Sequence, residues 1–217
     1  MIVLNLKTYD QVIKNPRKYI DAVSEVARET MIPIVLCPPT TMLSEFSFSY
    51  RNTFAQHCDF ESPGAHTGST PPEILKSIGV KGSLLNHSEK RINSPENLHK
   101  SILRLRENSL KSIVCAATPN EMENFAKFNP DYLAVEPPEL ISSGISVSNA
   151  RPEVISDSVR LVKKANSSIK VLCGAGVTTK EDVKKALEAG AQGVLLASAF
   201  VKSDDPKSYL RELVNAF

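Results

Sequence analysis

Short apolar runs, rich in β-branched residues, recur along the chain, and each is followed by a segment with helical periodicity. They lack the polar alternation of a half-exposed strand, as expected for parallel strands covered on both faces. Several helical segments begin with a capping residue followed by proline, as in Ser94-Pro95 and Thr118-Pro119. The predicted strands are Ile2-Val3-Leu4, Ile34-Val35-Leu36, Thr53-Phe54-Ala55, Ser83-Leu84-Leu85, Ser112-Ile113-Val114, Tyr132-Leu133-Ala134-Val135, Ile169-Lys170-Val171-Leu172 and Gly193-Val194-Leu195-Leu196.

This rhythm gives eight strand–helix units in 217 residues, with little chain left over. The number matches a closed, parallel (β/α)8 barrel near the lower end of its usual size. An open doubly wound sheet is the alternative, but it usually has five or six strands. The G-x-G-x-x-G of such sheets does not follow the first run. We therefore predict a single α/β domain over residues 1–217.

Composition excludes several classes of function. The formal charge is +2, and the 23% of charged residues include both signs, so nothing favours nucleic acid or a membrane surface as a partner. No apolar stretch approaches the roughly 20 residues of a membrane span. Met1 leads directly into an apolar run, without the basic region of a signal peptide.

The cysteines are isolated from one another, and three of them end or nearly end an apolar run, which is typical of small core residues in a reducing compartment. We therefore predict a cytoplasmic protein. His57, Cys58, Asp59 and His66 are potential metal ligands in one loop, but they lack the tight paired spacing of zinc sites. We predict no metal site.

Polar residues follow three predicted strands, at the end where barrels of this kind place their chemistry. Asn5 and Lys7 share one face of the first strand's end, because side chains alternate with period 2. His87 follows the fourth strand, and Glu136, with two prolines directly after it, follows the sixth. Taken singly, these residues would also fit a solvated lysine, a structural histidine and a turn.

Small residues follow the seventh and eighth strands, as Gly174-Ala175-Gly176 and Ala197-Ser198. Backbone N–H groups can approach a phosphate closely at such positions. A lysine, a histidine, a glutamate and a phosphate cradle thus fall at one end of one barrel. Together they predict an acid–base site for a small phosphorylated substrate.

At this point the sequence resembles the triosephosphate isomerase family, nearly from end to end. The family's N-x-K appears as Asn5-Leu6-Lys7, and its G-H-S-E-R-R as Asn86-His87-Ser88-Glu89-Lys90-Arg91. Its E-P-x-x-x-I-G-T-G appears as the segment from Glu136 to Gly144. The short length and the Cys173-Gly174-Ala175-Gly176-Val177 segment are similar to the compact archaeal-type branch.

The resemblance implies an aldose–ketose isomerase with a TIM barrel, which interconverts dihydroxyacetone phosphate and D-glyceraldehyde 3-phosphate in glycolysis and gluconeogenesis. It implies Glu136 as the base, His87 as hydrogen-bond donor to the substrate carbonyl, Lys7 as the cation and Asn5 as its support. Glu89 would hold Lys7 or a neighbouring cation, residues 137–147 would form a lid, and no metal or organic cofactor is needed. The implied phosphate-binding residues are Ile141, Ser142, Gly174, Gly176, Ala197 and Ser198.

The sequence departs from the family pattern at three places. Asn86 stands where the family has glycine, and Ala197-Ser198 replaces a Gly-Gly pair. Ser142-Ser143 replaces Gly-Thr, which affects lid closure if position 142 needs a positive φ.

The loop at residues 63–68 corresponds to the family's intersubunit loop, so a homodimer is expected, with a homotetramer as the further possibility. Two other functions stay open from the residues. A Schiff-base aldolase on a similar barrel needs a nucleophilic lysine at the end of a strand such as the sixth, where this chain has Glu136. A sugar-phosphate-binding barrel without catalysis would keep the cradle alone.

Overall fold

A computed structural model of the chain describes residues 1–137 and 147–217, and for Val147 and Asn149 the backbone only. Seven parallel strands form one sheet in the order β2-β1-β7-β6-β5-β4-β3. Helices lie between the strands along the chain. The strands are β1 Ile2–Asn5, β2 Ile34–Cys37, β3 Gly82–Leu85, β4 Lys111–Ala116, β5 Tyr132–Val135, β6 Lys170–Cys173 and β7 Val194–Leu196.

The third predicted strand is not a full strand, and this corrects the count of eight among the described residues. Segment 53–55 makes single parallel bridges to Leu36 of β2 and Ser83 of β3. Phe54 N donates to Leu36 O at 2.9 Å, and Ala55 N donates to Gly82 O at 2.8 Å. Because it pairs at one residue on each side, the segment is too short for a ladder, yet it joins the two edges of the sheet. The predicted closed barrel is confirmed.

The helices begin where the capping residues predict. The Ser94 side chain accepts from Asn97 N, the Thr118 side chain accepts from Glu121 N, and Thr179 forms a capping box with Asp182. The short α7 was not predicted. The helices are α1 Asp10–Lys14, α2 Pro16–Glu29, α3 Leu43–Ser49, α4 Pro72–Ser77, α5 Pro95–Glu107, α6 Pro119–Ala126, α7 Val147–Ala150, α8 Pro152–Ala165, α9 Lys180–Glu188, α10 Ser198–Val201 and α11 Pro206–Val214.

The apolar residues form two layers, because each strand turns alternate side chains to opposite faces. The larger layer lies between the strands and the helices. The smaller layer fills the barrel interior and consists of Val3, Val35, Cys37, Phe54, Leu84, Ile113, Cys115, Ala134, Leu172 and Leu195.

All four cysteines are buried, and none forms a disulfide. No helix in the two described ranges is long and apolar enough to cross a bilayer.

Phe54 tests whether segment 53–55 belongs to the barrel. Its ring is buried in the interior layer, so Phe54→Ala is expected to lower the free energy of unfolding by about 3–5 kcal/mol. Urea denaturation followed by circular dichroism measures this change. Phe48→Ala is the control, since that ring is 78% exposed, and a change within about 0.5 kcal/mol is expected. Equal effects of the two substitutions would contradict the placement of Phe54.

Candidate active site

Asn5 and Lys7 lie at the C-terminal end of β1, where the backbone turns sharply. Lys7 has φ +45°, in the left-handed region that non-glycine residues rarely adopt. The buried Asn5 side chain supports this turn, since Lys7 N donates to Asn5 Oδ1 at 3.0 Å. The two side chains are therefore coupled through the backbone.

The ammonium group of Lys7 is held by Glu89. Lys7 Nζ lies 2.7 Å from Glu89 Oε1, and the Lys7 side chain is only 13% exposed while that of Glu89 is 57% exposed. Such a pair, with one partner in water, fixes the lysine without burying two charges. Among the predicted residues, the structure thus brings Glu89 directly to Lys7.

Gln56 is a site residue that the sequence analysis missed. Its side-chain amide donates to Lys7 O at 2.9 Å and to Cys37 O at 3.0 Å, which joins the ends of β1 and β2. A signal for it exists in the sequence, because Gln56 follows the third predicted strand directly. It stabilises the strained backbone at Lys7.

His87 follows β3 with its ring buried and its orientation set by the backbone. Glu89 N donates to His87 Nδ1 at 3.1 Å, at the start of a short 3-10 turn over Ser88–Lys90. Because Nδ1 accepts, the neutral ring carries its proton on Nε2. Nε2 is thus the donor, and it lies 3.7 Å from Glu136 Oε1.

Asn86 has a structural reason to replace the family's glycine. Its backbone φ is +60°, a value that asparagine tolerates better than most side chains. The buried side chain donates from Nδ2 to Cys115 O and accepts from Ile92 N, both at 2.9 Å. The residue thus makes the turn before His87 and ties the end of β3 to the end of β4.

Glu136 lies directly after β5, and its backbone is fixed on both sides. Glu136 N donates to Ala116 O at 2.8 Å, and Pro137 restricts the next φ. The residue is only 3% exposed. Its Oε2 has no hydrogen-bond partner among the described residues. One oxygen of the carboxylate is therefore left without a partner from the described part of the protein.

Burial raises the pKa of the Glu136 carboxyl above its ordinary value, because a charged group loses solvation there. The opposing influence of His87, the Cys115 thiol and Lys7 is smaller. A carboxylate with a raised pKa and a free oxygen is a stronger base than one in water. Glu136 therefore has the properties of a general base.

The described residues that were predicted to bind phosphate lie at the ends of β6 and β7. Gly176 has φ +68°, which a glycine adopts without strain. The turn after it is held by buried Asp182, whose Oδ2 accepts from Thr178 N and Oγ1 at 3.0 Å and from Thr179 N at 2.9 Å. Neither Thr178 nor Asp182 was predicted from the sequence to be a site residue. The pocket is lined by Lys7, His87, Glu136, Gly174, Gly176, Val177, Thr178, Leu195, Leu196, Ala197 and Ser198.

Part of the predicted site lies outside the described residues. Ile141 and Ser142 are in the undescribed segment 138–146, as is most of the predicted lid at 137–147. In the rest of the chain, no group of three or more histidine, cysteine, aspartate and glutamate residues is arranged to hold a metal ion.

Comparison with known proteins decides the family. The family model described as triosephosphate isomerase matches residues 1–217. The triosephosphate isomerase of Methanocaldococcus jannaschii is 44% identical over 216 residues, which covers 99% of this chain and 98% of the relative. The chain belongs to the triosephosphate isomerase family. Another relative, the triosephosphate isomerase of Methanothermus fervidus, is also 44% identical over 216 residues. The matched region covers 99% of this chain and 97% of the relative.

A third archaeal triosephosphate isomerase, from Archaeoglobus fulgidus, is 50% identical over 163 residues, or 75% of this chain and 73% of the relative. The resemblance read from the sequence is thereby confirmed. Membership of an isomerase family also favours an aldose–ketose isomerase over a Schiff-base aldolase.

The structure of Asn86 predicts an order of stabilities for this triosephosphate isomerase family member. Asn86→Gly keeps the backbone turn but leaves Cys115 O and Ile92 N without their partner, which is expected to cost about 1–3 kcal/mol. Asn86→Ala loses the same bonds and adds left-handed strain of about 1 kcal/mol. The free energies of unfolding in urea are therefore expected to fall from the native protein to Asn86→Gly and then Asn86→Ala. A more stable Asn86→Ala would contradict the role of the positive φ.

Proposed function

We propose that the chain interconverts dihydroxyacetone phosphate and D-glyceraldehyde 3-phosphate by moving a proton between adjacent carbons through an enediolate. The observation that carries this proposal is the pairing of Glu136 and His87. Their Oε1 and Nε2 atoms lie 3.7 Å apart in a pocket that ends in small residues at the tips of β6 and β7. One domain, residues 1–217, performs the whole reaction.

Glu136 removes the carbon-bound proton and returns it to the neighbouring carbon. Its buried carboxylate, with an unpartnered oxygen, supports this role. A positioned base contributes about 10²–10⁴-fold to the rate. Since one group takes and returns the proton, the same carboxylate serves both directions of the reaction.

His87 donates a hydrogen bond from Nε2 to the substrate oxygen that gains charge. The Glu89 N–H at Nδ1 supports this tautomer. Triosephosphate isomerase is the standard example of a neutral histidine in such a role. A neutral donor suits the enediolate, because it stabilises the oxyanion without requiring a charged ring inside the pocket.

Lys7 offsets the negative charge of the enediolate and of the phosphate. Asn5 and Gln56 hold its backbone, and Glu89 holds its ammonium group. A preorganised donor of this kind contributes on the order of 3–4 kcal/mol to the transition state. Catalysis needs no metal or organic cofactor, because side chains supply the base, the donor and the cation.

The phosphate binds to backbone N–H groups near Gly176, Ala197 and Ser198. The rest of the grip comes from the segment with Ile141 and Ser142, which belongs to a lid at residues 137–147. An enediolate beside a phosphate can eliminate it, and closure of a lid suppresses this loss by excluding water and holding the geometry. Pro137 and Pro138 stiffen the exit from Glu136.

Glu136→Asp tests the base. The shorter side chain withdraws the carboxylate by more than 1 Å, and a misplacement of that size costs about 100-fold in turnover. We expect kcat to fall by about 100-fold or more, with KM changed roughly threefold at most. A coupled assay of glyceraldehyde 3-phosphate formation measures both. Unchanged turnover would remove Glu136 from the role of base, and no turnover in the native protein would favour a barrel that only binds sugar phosphates.

The pH dependence of the native enzyme follows from the same carboxyl group. Glu136 acts as a base only when it is ionised, and burial raises its pKa. As the pH falls, kcat/KM is therefore expected to decline at a pH above the ordinary glutamate value near 4.5. A kcat/KM that stays constant down to that value would contradict the buried position of the base.

The active enzyme is a homodimer in which the loop at 63–68 of each copy docks beside the partner's Lys7. All six residues of this loop are exposed. A cavity of about 240 Å³ lies next to the site, large enough for a side chain, since water takes about 30 Å³ per molecule. His57 lines this cavity, and its Nδ1 is buried and without a partner among the described residues. A homotetramer is the alternative assembly.

Thr67→Arg tests the assembly, because a long cation on this loop does not fit beside Lys7. We expect a monomer by light scattering and a kcat lower by about 100-fold, as the residues around Lys7 lose their support. Ser167→Arg, on an exposed turn before β6, is the control and is expected to keep both mass and kcat. A monomeric native protein with full activity would contradict the dimer, and a mass of four chains would establish the tetramer.

The proposed compartment is the cytoplasm. The four buried, unpaired cysteines support a reducing environment.

A further inference from the structure

Gly174 lies against the side chain of Glu136, and the distance between them leaves no room for a larger residue. A Cβ atom placed on Gly174 would lie 2.5 Å from Glu136 Cγ, 3.2 Å from Cδ and 3.1 Å from Oε1. Ordinary contacts of a Cβ atom begin at about 3.4 Å. The missing side chain of Gly174 is therefore space that the Glu136 side chain occupies.

Backbone conformation does not explain this glycine. Gly174 is not among the residues with positive φ, whereas Gly176, two residues later, has φ +68°. An alanine at position 174 meets no left-handed strain, so only the lack of space disfavours it. Gly174 was predicted from the sequence to bind phosphate, but its contacts place it against Glu136 as well.

Neither backbone can retreat to make room. Gly174 N donates to Val135 O at 2.9 Å, and the neighbouring Cys173 N donates to Gly193 O at 3.0 Å. On the other side, Glu136 N is bonded to Ala116 O, and Pro137 follows. Both strand ends are thus held by the sheet. Any added atom at position 174 has to displace the Glu136 side chain.

We propose that Gly174 is a positioning residue for the reaction, because its missing side chain lets the Glu136 carboxylate take its buried place opposite His87. This inference rests on the proposed function, in which Glu136 is the base. With a Cβ at position 174, the Glu136 side chain has to move by about 1 Å to reach an ordinary contact distance, and the carboxylate leaves its place opposite His87. Gly174 thereby acts on catalysis through Glu136, without itself contacting the reacting atoms.

Gly174→Ala is the first test. We expect kcat to fall by about 100-fold, since a 1 Å misplacement costs that much, while KM changes roughly threefold at most. The pKa of the Glu136 carboxyl depends on its burial and on its distances to His87, Cys115 and Lys7, so a displaced carboxyl group has a different pKa. The acid limb of kcat/KM is therefore expected to shift from its position in the native enzyme. A folded Gly174→Ala protein with native kcat and an unshifted acid limb would overturn the proposal.

Gly82→Ala, at the first residue of β3, is the matched control at the opposite end of the barrel. Its added Cβ would lie 2.4 Å from Lys111 O and 2.4 Å from Phe54 Cε2, and Gly82 is likewise free of positive φ. This substitution crowds the structure at least as much, but at atoms other than those of Glu136 and its hydrogen-bond partner. We expect it to lower the melting temperature while kcat and the acid limb stay native. A shift of the acid limb in this variant too would show that general destabilisation causes the effect, against the proposal.

A double-mutant cycle keeps the test decisive if Gly174→Ala folds poorly. Glu136→Ala removes the Cγ atom and the carboxylate, and with them the clash. The loss in melting temperature caused by Gly174→Ala is therefore expected to be smaller in the Glu136→Ala background than in the native one. Equal losses in the two backgrounds would overturn the proposal.

Failure of the proposed function is distinguishable from failure of this inference. A native protein without isomerase activity would refute the function, yet the cycle of melting temperatures would still report whether Gly174 and Glu136 compete for one space. A native protein with activity and a Gly174→Ala variant indistinguishable from it would refute the inference alone.

Discussion

The site depends on the parallel direction of the strands. Because all strands of the closed sheet run the same way, the residue that follows each of them comes to one rim of the barrel. Asn5 at the end of β1, His87 after β3 and Glu136 after β5 are up to 131 residues apart in the chain, yet the parallel strands bring all three to this rim. Segment 53–55 closes the sheet with two single bridges, and this short junction delivers Gln56 to the same rim.

The second constraint is the cost of a buried carboxylate with an unpartnered oxygen. A charged group without a compensating bond is expensive to bury, and here that cost appears as a raised pKa. The surrounding structure holds Glu136 in place through backbone bonds and proline, and leaves its Oε2 without a hydrogen-bond partner among the described residues. The carboxylate thus stays available to a substrate. The backbone bonds of the fold stabilise a position that a hydrogen bond to this oxygen would otherwise stabilise. This arrangement is what a base needs and what a structural ion pair lacks.

Much of the fold was predictable, because its signals are local. The capping residues Ser94, Thr118 and Thr179 mark helix starts through bonds to nearby N–H groups, and Ser94 and Thr118 were predicted as caps. The length of the third strand was overestimated, since it depends on how closely the two edges of the sheet approach each other. The roles of Gln56 and Asp182 were missed for a similar reason. Their hydrogen bonds join separate strand and helix ends or stabilise a turn, and such contacts cannot be recognised from the periodicity of the sequence.

The sequence by itself determined the barrel, the direction of its strands and the family, because hydrophobic periodicity, helix-capping residues and motifs are patterns among residues that are close together in the chain. It also determined that a lysine, a histidine and a glutamate follow particular strands. Only the tertiary structure decided how they meet. The tautomer of His87 depends on the Glu89 N–H, the left-handed turn at Asn86 explains its exchange for glycine, and the place of Glu136 depends on Gly174, 38 residues later. These are contacts between distant segments at ångström scale, which exist only once the strands have packed.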